Sequence, residues 1–530
     1  MALDWQYPYP SQRAAVMGEN VVSTSQPLAA QAGLSMLYQG GNAVDAAIAA
    51  AACLTVVEPT GCGIGSDAFA LIWDGQRLNG LNASGRAPKA WTPDYFKGLD
   101  HVPKTGWDSV TVPGAVSSWI ALSERYGKLP LRTVMQPAIS YARDGFLVSP
   151  TVASLWQMAA SKLGQQPGFA DCFMPNGRAP QAGERVVNSA QAHTLHLIAE
   201  TQGEAFYRGE LAQKIAAHAK AYGGALSMDD LADHQSNWCE PISTAFGAYR
   251  LHEIPPNGQG IAALMAVGML DTLGFKGLNV DDAQTVHLCI EAMKLAFADL
   301  YEYNAELHAM RVSPHDLLSP SYLKQRASLI DPDRAQAPDY GQPKEGGTVY
   351  VSTADASGMM VSFIQSNYMG FGSGVVVPDT GISLQNRGHG FSLDPTHANC
   401  VAPGKRPSHT ILPAFVTQQN GDPYMSFGVM GGPMQSQGHV QMCVRILHFN
   451  QNPQAASDAP RWRVTGGLNV SLEQGFDPQV AAALQAKGHQ ITLEQGSGVF
   501  AFGGAQLIVR NQDGYVAGSD HRKDGLACAF

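Results

Sequence analysis

Gly346-Gly347-Thr348-Val349-Tyr350-Val351-Ser352-Thr353 joins two parts of the chain with different character. Upstream, Asp331 to Gly347 is dense in proline, glycine and charge (Pro332, Pro338, Pro343, Lys344, Glu345), which predicts an exposed loop. Downstream, Val349 and Val351 alternate with polar neighbours, the pattern of a half-buried strand. A threonine at such a junction is by itself ordinary turn chemistry with β-propensity. Its meaning depends on what the rest of the chain brings to it.

Working outward, the residues after Thr348 read as strands: Met359 to Ser366, a hairpin-like pair within Gly374 to Leu384, Ile411 to Thr417, Tyr424 to Phe427, Ala505 to Val509 and Tyr515 to Ala517. Gly431-Gly432 precedes a helix expected from Met434 to His448, and a second helix is expected near Pro478 to Lys487. Before Thr348 the chain reads as mostly helical to about Leu300. Gly40-Gly41 ends one helix, and Asn42 with Asp45 caps the next, Ala43 to about Leu54, which is apolar on nearly every face and so predicted to be buried all round. Val112-Pro113-Gly114 leads a helix to Tyr126, Pro137 opens another, and Phe206 to Gly209 starts one through Ile215. Ser227 and Asp230 form a capping box, and Pro255 to Gly260 turns into the helix Ile261 to Leu273. Gly61-Cys62-Gly63-Ile64-Gly65 follows a helix and precedes the strand Ala68 to Trp73, the reverse of the order a dinucleotide site needs.

Composition narrows the function classes. The 530 residues suggest several domains by length alone, yet no low-complexity linker divides them. A net charge of -10 argues against a nucleic-acid surface. Ala46 to Val57, the longest apolar run, is too short to cross a bilayer, and the first residues lack a basic-then-apolar leader, so a cytoplasmic protein is expected. Eight scattered cysteines form no CxxC pair, and neither an HExxH stretch nor a paired Cys/His set is present, so neither a metal nor a cofactor is expected.

Gly40-Gly41-Asn42-Ala43-Val44-Asp45-Ala46-Ala47, Val112-Pro113-Gly114, Glu291-Ala292-Met293-Lys294, Lys405-Arg406-Pro407 and Asp458-Ala459-Pro460-Arg461-Trp462 occur in that order. Together, over nearly the whole chain, they resemble the γ-glutamyltranspeptidase family of N-terminal-nucleophile hydrolases. The resemblance implies an α+β fold, a four-layer αββα sandwich made as one inactive precursor. It implies self-cleavage between Gly347 and Thr348, giving a large subunit (1–347) and a small subunit (348–530) that stay associated, with further homo-oligomerisation open. Thr348 becomes the nucleophile and its freed α-amine the base, because a hydroxyl at its ordinary pKa needs a base within hydrogen-bond reach. Gly431 and Gly432 match the family's oxyanion pair, and Ser366 a hydroxyl that bonds the nucleophile.

The substrate clamp departs from the family pattern. The arginine that holds a glutamate α-carboxylate falls on Ser84, with Arg86 two residues on; the aspartate for the α-amine falls on Gly390. Paired serines become His409-Thr410, an asparagine becomes Tyr368, and Arg387 takes a glutamine position where its fork suits a carboxylate. The changed clamp resembles the branch that includes an amidase for oxamate. The expected partner is a small-molecule amide: a γ-glutamyl compound such as glutathione, a small acid amide, or an N-acyl group as in related acylases. A different class of answer is an unprocessed, non-catalytic amide binder.

Overall fold

The computed structural model describes residues 12–338, 347–494 and 501–530. The Gly346 step and positions 339–346 of the expected loop lie outside the described residues. Thr348 lies in the strand Gly347–Ala354, which pairs antiparallel with Met360–Tyr368 on one side and Val21–Thr24 on the other. Asp67–Trp73, Leu78–Ala83, Asn237–Cys239 and Leu526–Ala529 complete a seven-stranded sheet. A second seven-stranded sheet runs in the order Val16–Gly18, Gly514–Ser519, Ala505–Asn511, Pro423–Val429, Ala414–Gln418, Tyr249–Glu253, Ile242–Phe246.

Side-chain alternation stacks these sheets. Val349, Val351, Val361 and Phe363 point into a core shared with the helix Ala43–Val57. Tyr350, Met360 and Ile364 point the other way and pack with Phe415 and Ile508 of the second sheet and with Met430 just beyond its strand Pro423–Val429. The outer face of that sheet carries Val416, Phe427 and Leu507 against the helices Gly260–Leu273, Ala283–Tyr303 and Met434–Cys443. The layers are therefore helix, sheet, sheet, helix: the αββα sandwich. Each fully buried valine or phenylalanine contributes about 1.5–3 kcal/mol relative to exposure, so both faces of the strand that carries Thr348 are held.

Several expectations are corrected. The strand at Thr348 is buried on both faces, not one. Ser352 faces the other sheet, where its Oγ meets Ser426 Oγ at 2.7 Å; Tyr350 Oη meets Ser362 Oγ of the neighbouring strand at 2.6 Å, and Thr353 Oγ1 donates to Ala43 O of the covering helix at 2.6 Å. Pro137 lies inside the helix Leu131–Asp144 rather than opening it. Phe206 and Tyr207 end the short helix Glu204–Tyr207, and Gly209 caps Glu210–Ala221. The middle of the chain holds the strands Asn237–Cys239, Ile242–Phe246 and Tyr249–Glu253, short segments whose apolar content was too slight to read as periodic. Each sheet takes strands from both sides of Thr348. As expected, Ala43–Val57 is buried at every position and begins with the Asn42/Asp45 capping box. Among the described residues no helix is long and apolar enough to cross a membrane.

Candidate active site

Thr348 has no exposed surface. Its hydroxyl donates to Ser366 Oγ at 3.3 Å and accepts from Gln435 Nε2 at 3.1 Å. The ladder slips here: Gly347 pairs with Tyr368 but Val349 with Gln365, so Thr348 faces Ser366 and Asn367 across a bulge. Bulges re-aim a side chain out of the pleat. Tyr368 closes the bulge with φ of 78°, a left-handed conformation costly for an aromatic residue, and its amide donates to Ser366 Oγ at 2.8 Å.

Opposite lies the turn between Pro423–Val429 and Met434–Cys443. Gly431 and Gly432 have φ of 117° and 60°, which bars side chains there. Their carbonyls accept from Met434 N and Gln435 N at 3.1 Å, while neither amide nitrogen donates to another described residue. Two buried, unengaged amides at a helix start suit a developing oxyanion. Gln435, the second residue of that helix, is fixed by Leu412 N donating to its Oε1 at 3.0 Å. Gln259 Nε2 ties the same turn to the next wall, donating to Gly432 O at 2.9 Å and Thr410 O at 2.6 Å.

That wall carries the charge. Arg387 is 1% exposed, stacks 4.5 Å over the Tyr368 ring and donates from Nη1 to Thr410 Oγ1 at 2.8 Å. Its Nε and Nη2 are buried with no partner. Burial lowers its pKa to about 10, so it remains a cation at neutral pH. Asp67 supplies a nearby counter-charge. Burial pushes its carboxyl up to about 7, while Arg387 and the Gly85 and Gly114 amides, at 3.0 and 3.1 Å, pull it down. His409 Nε2 lies 3.1 Å from Asp67 Oδ2, and burial with the neighbouring Arg387 and Arg406 charges holds its pKa well below the ordinary value.

A γ-glutamyltranspeptidase family model matches residues 29–530. The chain belongs to the γ-glutamyltranspeptidase family. It is 37% identical over 96% of its length to a glutathione hydrolase-like proenzyme of Bacillus subtilis, spanning 99% of that protein. With an oxamate amidohydrolase proenzyme of Klebsiella pneumoniae it shares 36% identity over 95% of this chain and 97% of that one. The crystal structure of a cephalosporin acylase from Bacillus halodurans superposes with a TM-score of 0.96 at 49% identity, covering 100% of this chain and 99% of that one. The protein is thus an amide-cleaving enzyme of the N-terminal-nucleophile type, with the αββα fold of its family.

Against the family clamp, the structure separates the expected residues. Thr348, Ser366, Tyr368, Arg387, Thr410 and the Gly431-Gly432 turn form one contiguous set of contacts, with His409 joined to it through Asp67. Arg86 is drawn away: its guanidinium pairs with Glu306 at 2.6 Å and donates to Gly404 O at 3.0 Å. Ser84 is buried and bonded to Asn82 and Asn257. At Gly390 a Cβ would lie 2.8 Å from the Ser408 carbonyl oxygen, so an aspartate has no room there. The Gly61–Gly65 loop serves packing: Cβ atoms at Gly61 and Gly65 would meet Val349 Cγ1 at 2.8 Å and Ser383 O at 2.4 Å. Sequence reasoning missed Gln435, Gln259 and Asp67. Gln435 alone carried a signal, its place three residues after the paired glycines.

Proposed function

We propose that this enzyme cleaves its own Gly347–Thr348 bond and then hydrolyses small amides whose acyl part carries a carboxylate. Self-cleavage follows from the hydroxyl's placement. Thr348 Oγ1 attacks the Gly347 carbonyl carbon, the C–N bond breaks, and the nitrogen keeps the proton that Oγ1 gives up. Water then hydrolyses the ester, releasing a Gly347 carboxylate and restoring the Thr348 hydroxyl beside the α-amine formed in the first step. In turnover that amine accepts the Oγ1 proton as Oγ1 attacks the substrate amide. The Gly431 and Gly432 amides hold the oxyanion, the leaving amine departs with the proton, and water (or an acceptor amine) resolves the acyl ester. Gln435 Nε2 and Ser366 Oγ keep the hydroxyl aimed throughout.

The observation that carries the substrate class is the pair of unpartnered N–H groups on buried Arg387. Buried donors are almost always satisfied, and an open guanidinium edge matches a carboxylate. With Gly390 closed to an acid and Ser84 engaged, nothing among the described residues repeats the family's grip on a glutamate α-amine. The likeness to a cephalosporin acylase favours a second reading, in which the carboxylate ends a longer acyl chain.

The test compares wild type, Thr348→Ala and Arg387→Ala on SDS gels and against oxamate, succinyl and glutaryl amides and γ-glutamyl-p-nitroanilide. Thr348→Ala is expected to stay one chain and be inactive. Arg387→Ala is expected to cleave itself but lose carboxylate amides by about ten- to a hundredfold in kcat/KM, since a charged hydrogen bond contributes about 1.5–3 kcal/mol. A γ-glutamyl compound turned over above about 10⁴ M⁻¹s⁻¹ and well ahead of the rest would defeat the substrate class.

A further inference from the structure

The chain leading toward Thr348 is exposed at Pro332, Asp333, Arg334 and Ala337, as a loop was expected to be, yet it is fastened at several points. Ala335 is buried, and its amide donates to Lys487 O at 2.7 Å. Gln336 N donates to Glu291 Oε2 at 3.0 Å, and Gln336 O accepts from Lys294 Nζ at 2.9 Å. Asp331 O accepts from His287 Nε2 at 2.9 Å, and Pro332 O from Lys487 Nζ at 2.8 Å. His287, Glu291 and Lys294 lie on the helix Ala283–Tyr303, before the proposed cut; Lys487 and His489 lie after it.

Donors and acceptors at the centre of this cluster admit one arrangement. Lys294 Nζ also donates to Glu291 Oε1 at 2.8 Å and His489 Nδ1 at 3.4 Å. His489 therefore carries its proton on Nε2 and donates to His287 Nδ1 at 2.8 Å. His287 in turn carries its proton on Nε2, where Asp331 O receives it. Burial lowers the pKa of both rings, in keeping with neutral imidazoles. His287, Glu291 and His489 have ligand atoms within 4.8 Å of one another, a spacing that would admit a metal. Each of those atoms is already engaged, and the Lys294 ammonium is the cation that balances Glu291, so the trio reads as a hydrogen-bonded relay.

We propose that Lys294, Glu291, His489 and His287 form a clasp, built from both sides of the scissile bond, that fixes residues 331–336 and so holds the chain running to Gly347 at Thr348 during self-cleavage. This rests on the Thr348 reading above. Anchoring residues 331–336 reduces the number of chain positions between a fixed point and Thr348, and points separated by twice as many residues meet about threefold less often. The clasp acts on cutting; once the amine is free, turnover does not depend on it.

The test uses the full chain with His489→Ala and, at the edge of the cluster, Lys487→Ala, which removes only the contacts of Nζ. Cleavage is followed on SDS gels, kcat/KM is taken per cleaved molecule, and amide exchange is read at Ala335 and Gln336. Expected are cleavage about threefold or more slower for His489→Ala, faster exchange at those two amides, and unchanged kcat/KM per cleaved molecule. Should His489→Ala fail to fold, Lys487→Ala carries the same comparison with a smaller slowing. Variants that expose the two amides yet cleave as fast as wild type overturn the clasp alone. A wild type that gives one band overturns the Thr348 reading and the clasp's role together.

Discussion

Two titrations meet at the residues around Thr348, and they move different kinetic parameters. The freed α-amine has an ordinary pKa of about 7.7–8.0 and must be neutral to accept the hydroxyl proton. Asp67, pushed up to about 7 by burial, shares the positive field of Arg387. A substrate carboxylate on Arg387 competes for that field and raises the Asp67 pKa further. By linkage, the ligand binds better when Asp67 is protonated. Measured separately from pH 5 to 9, kcat is expected to rise through the amine titration, while KM for a carboxylate amide is lowest below pH 7 and climbs above it. Asp67→Asn should flatten the KM arm and leave the kcat arm. A KM independent of pH in the wild type would detach Asp67 from the binding site.

Among the elements, the strand Pro423–Val429 sets how closely the second sheet approaches the one that carries Thr348. Gly428 lies against the ring of Tyr350, and a Cβ there would sit 2.4 Å from Cδ2 and Cε2. Tyr350 is fully buried between the sheets with its hydroxyl bonded to Ser362, so it has no free direction in which to yield. Gly428→Ala is therefore expected to destabilise the fold by about 1–3 kcal/mol, the usual range for overpacking a core. Because Tyr350 is two residues from Thr348 on the same strand, self-cleavage should slow as well. Urea unfolding and a gel time course check the two effects; a variant as stable as wild type would mean that the sheets part without cost.

For the whole molecule, interleaving decides what a cut at Gly347–Thr348 does. The strand Gly347–Ala354 stays paired with Val21–Thr24, which belongs to the large fragment, and Ala414–Gln418 stays paired with Tyr249–Glu253. One broken peptide bond leaves these ladders and the core between the sheets intact. The two fragments are expected to elute together at native mass and to part only in denaturant. Expressed separately, each leaves unpaired strand edges and an open apolar face, which predicts insolubility. Fragments that fold and remain soluble alone would contradict a shared core.

Local chemistry made part of this protein legible in its sequence. The nearly all-apolar helix after Asn42, the glycine pair at 431–432 and the threonine at the head of a strand depend on neighbours a few residues away, and each stands where the residues placed it. The threonine proposed as nucleophile and the glycine turn proposed to hold the oxyanion could thus be singled out before any coordinates. Contacts between distant segments decided the rest. Arg86 and Arg387 are alike in sequence, but Glu306 takes one, while Thr410 and Tyr368 bury the other with two donors open. Burial in the folded chain pushes the Asp67 carboxyl up to about 7, against the downward pull of Arg387, Gly85 and Gly114 brought in from distant segments. His287 and His489 share a proton across 202 positions of chain. Periodicity and capping are short-range and can be read along the chain, whereas burial, charge pairing and the direction of a side chain are set by whatever folding brings alongside.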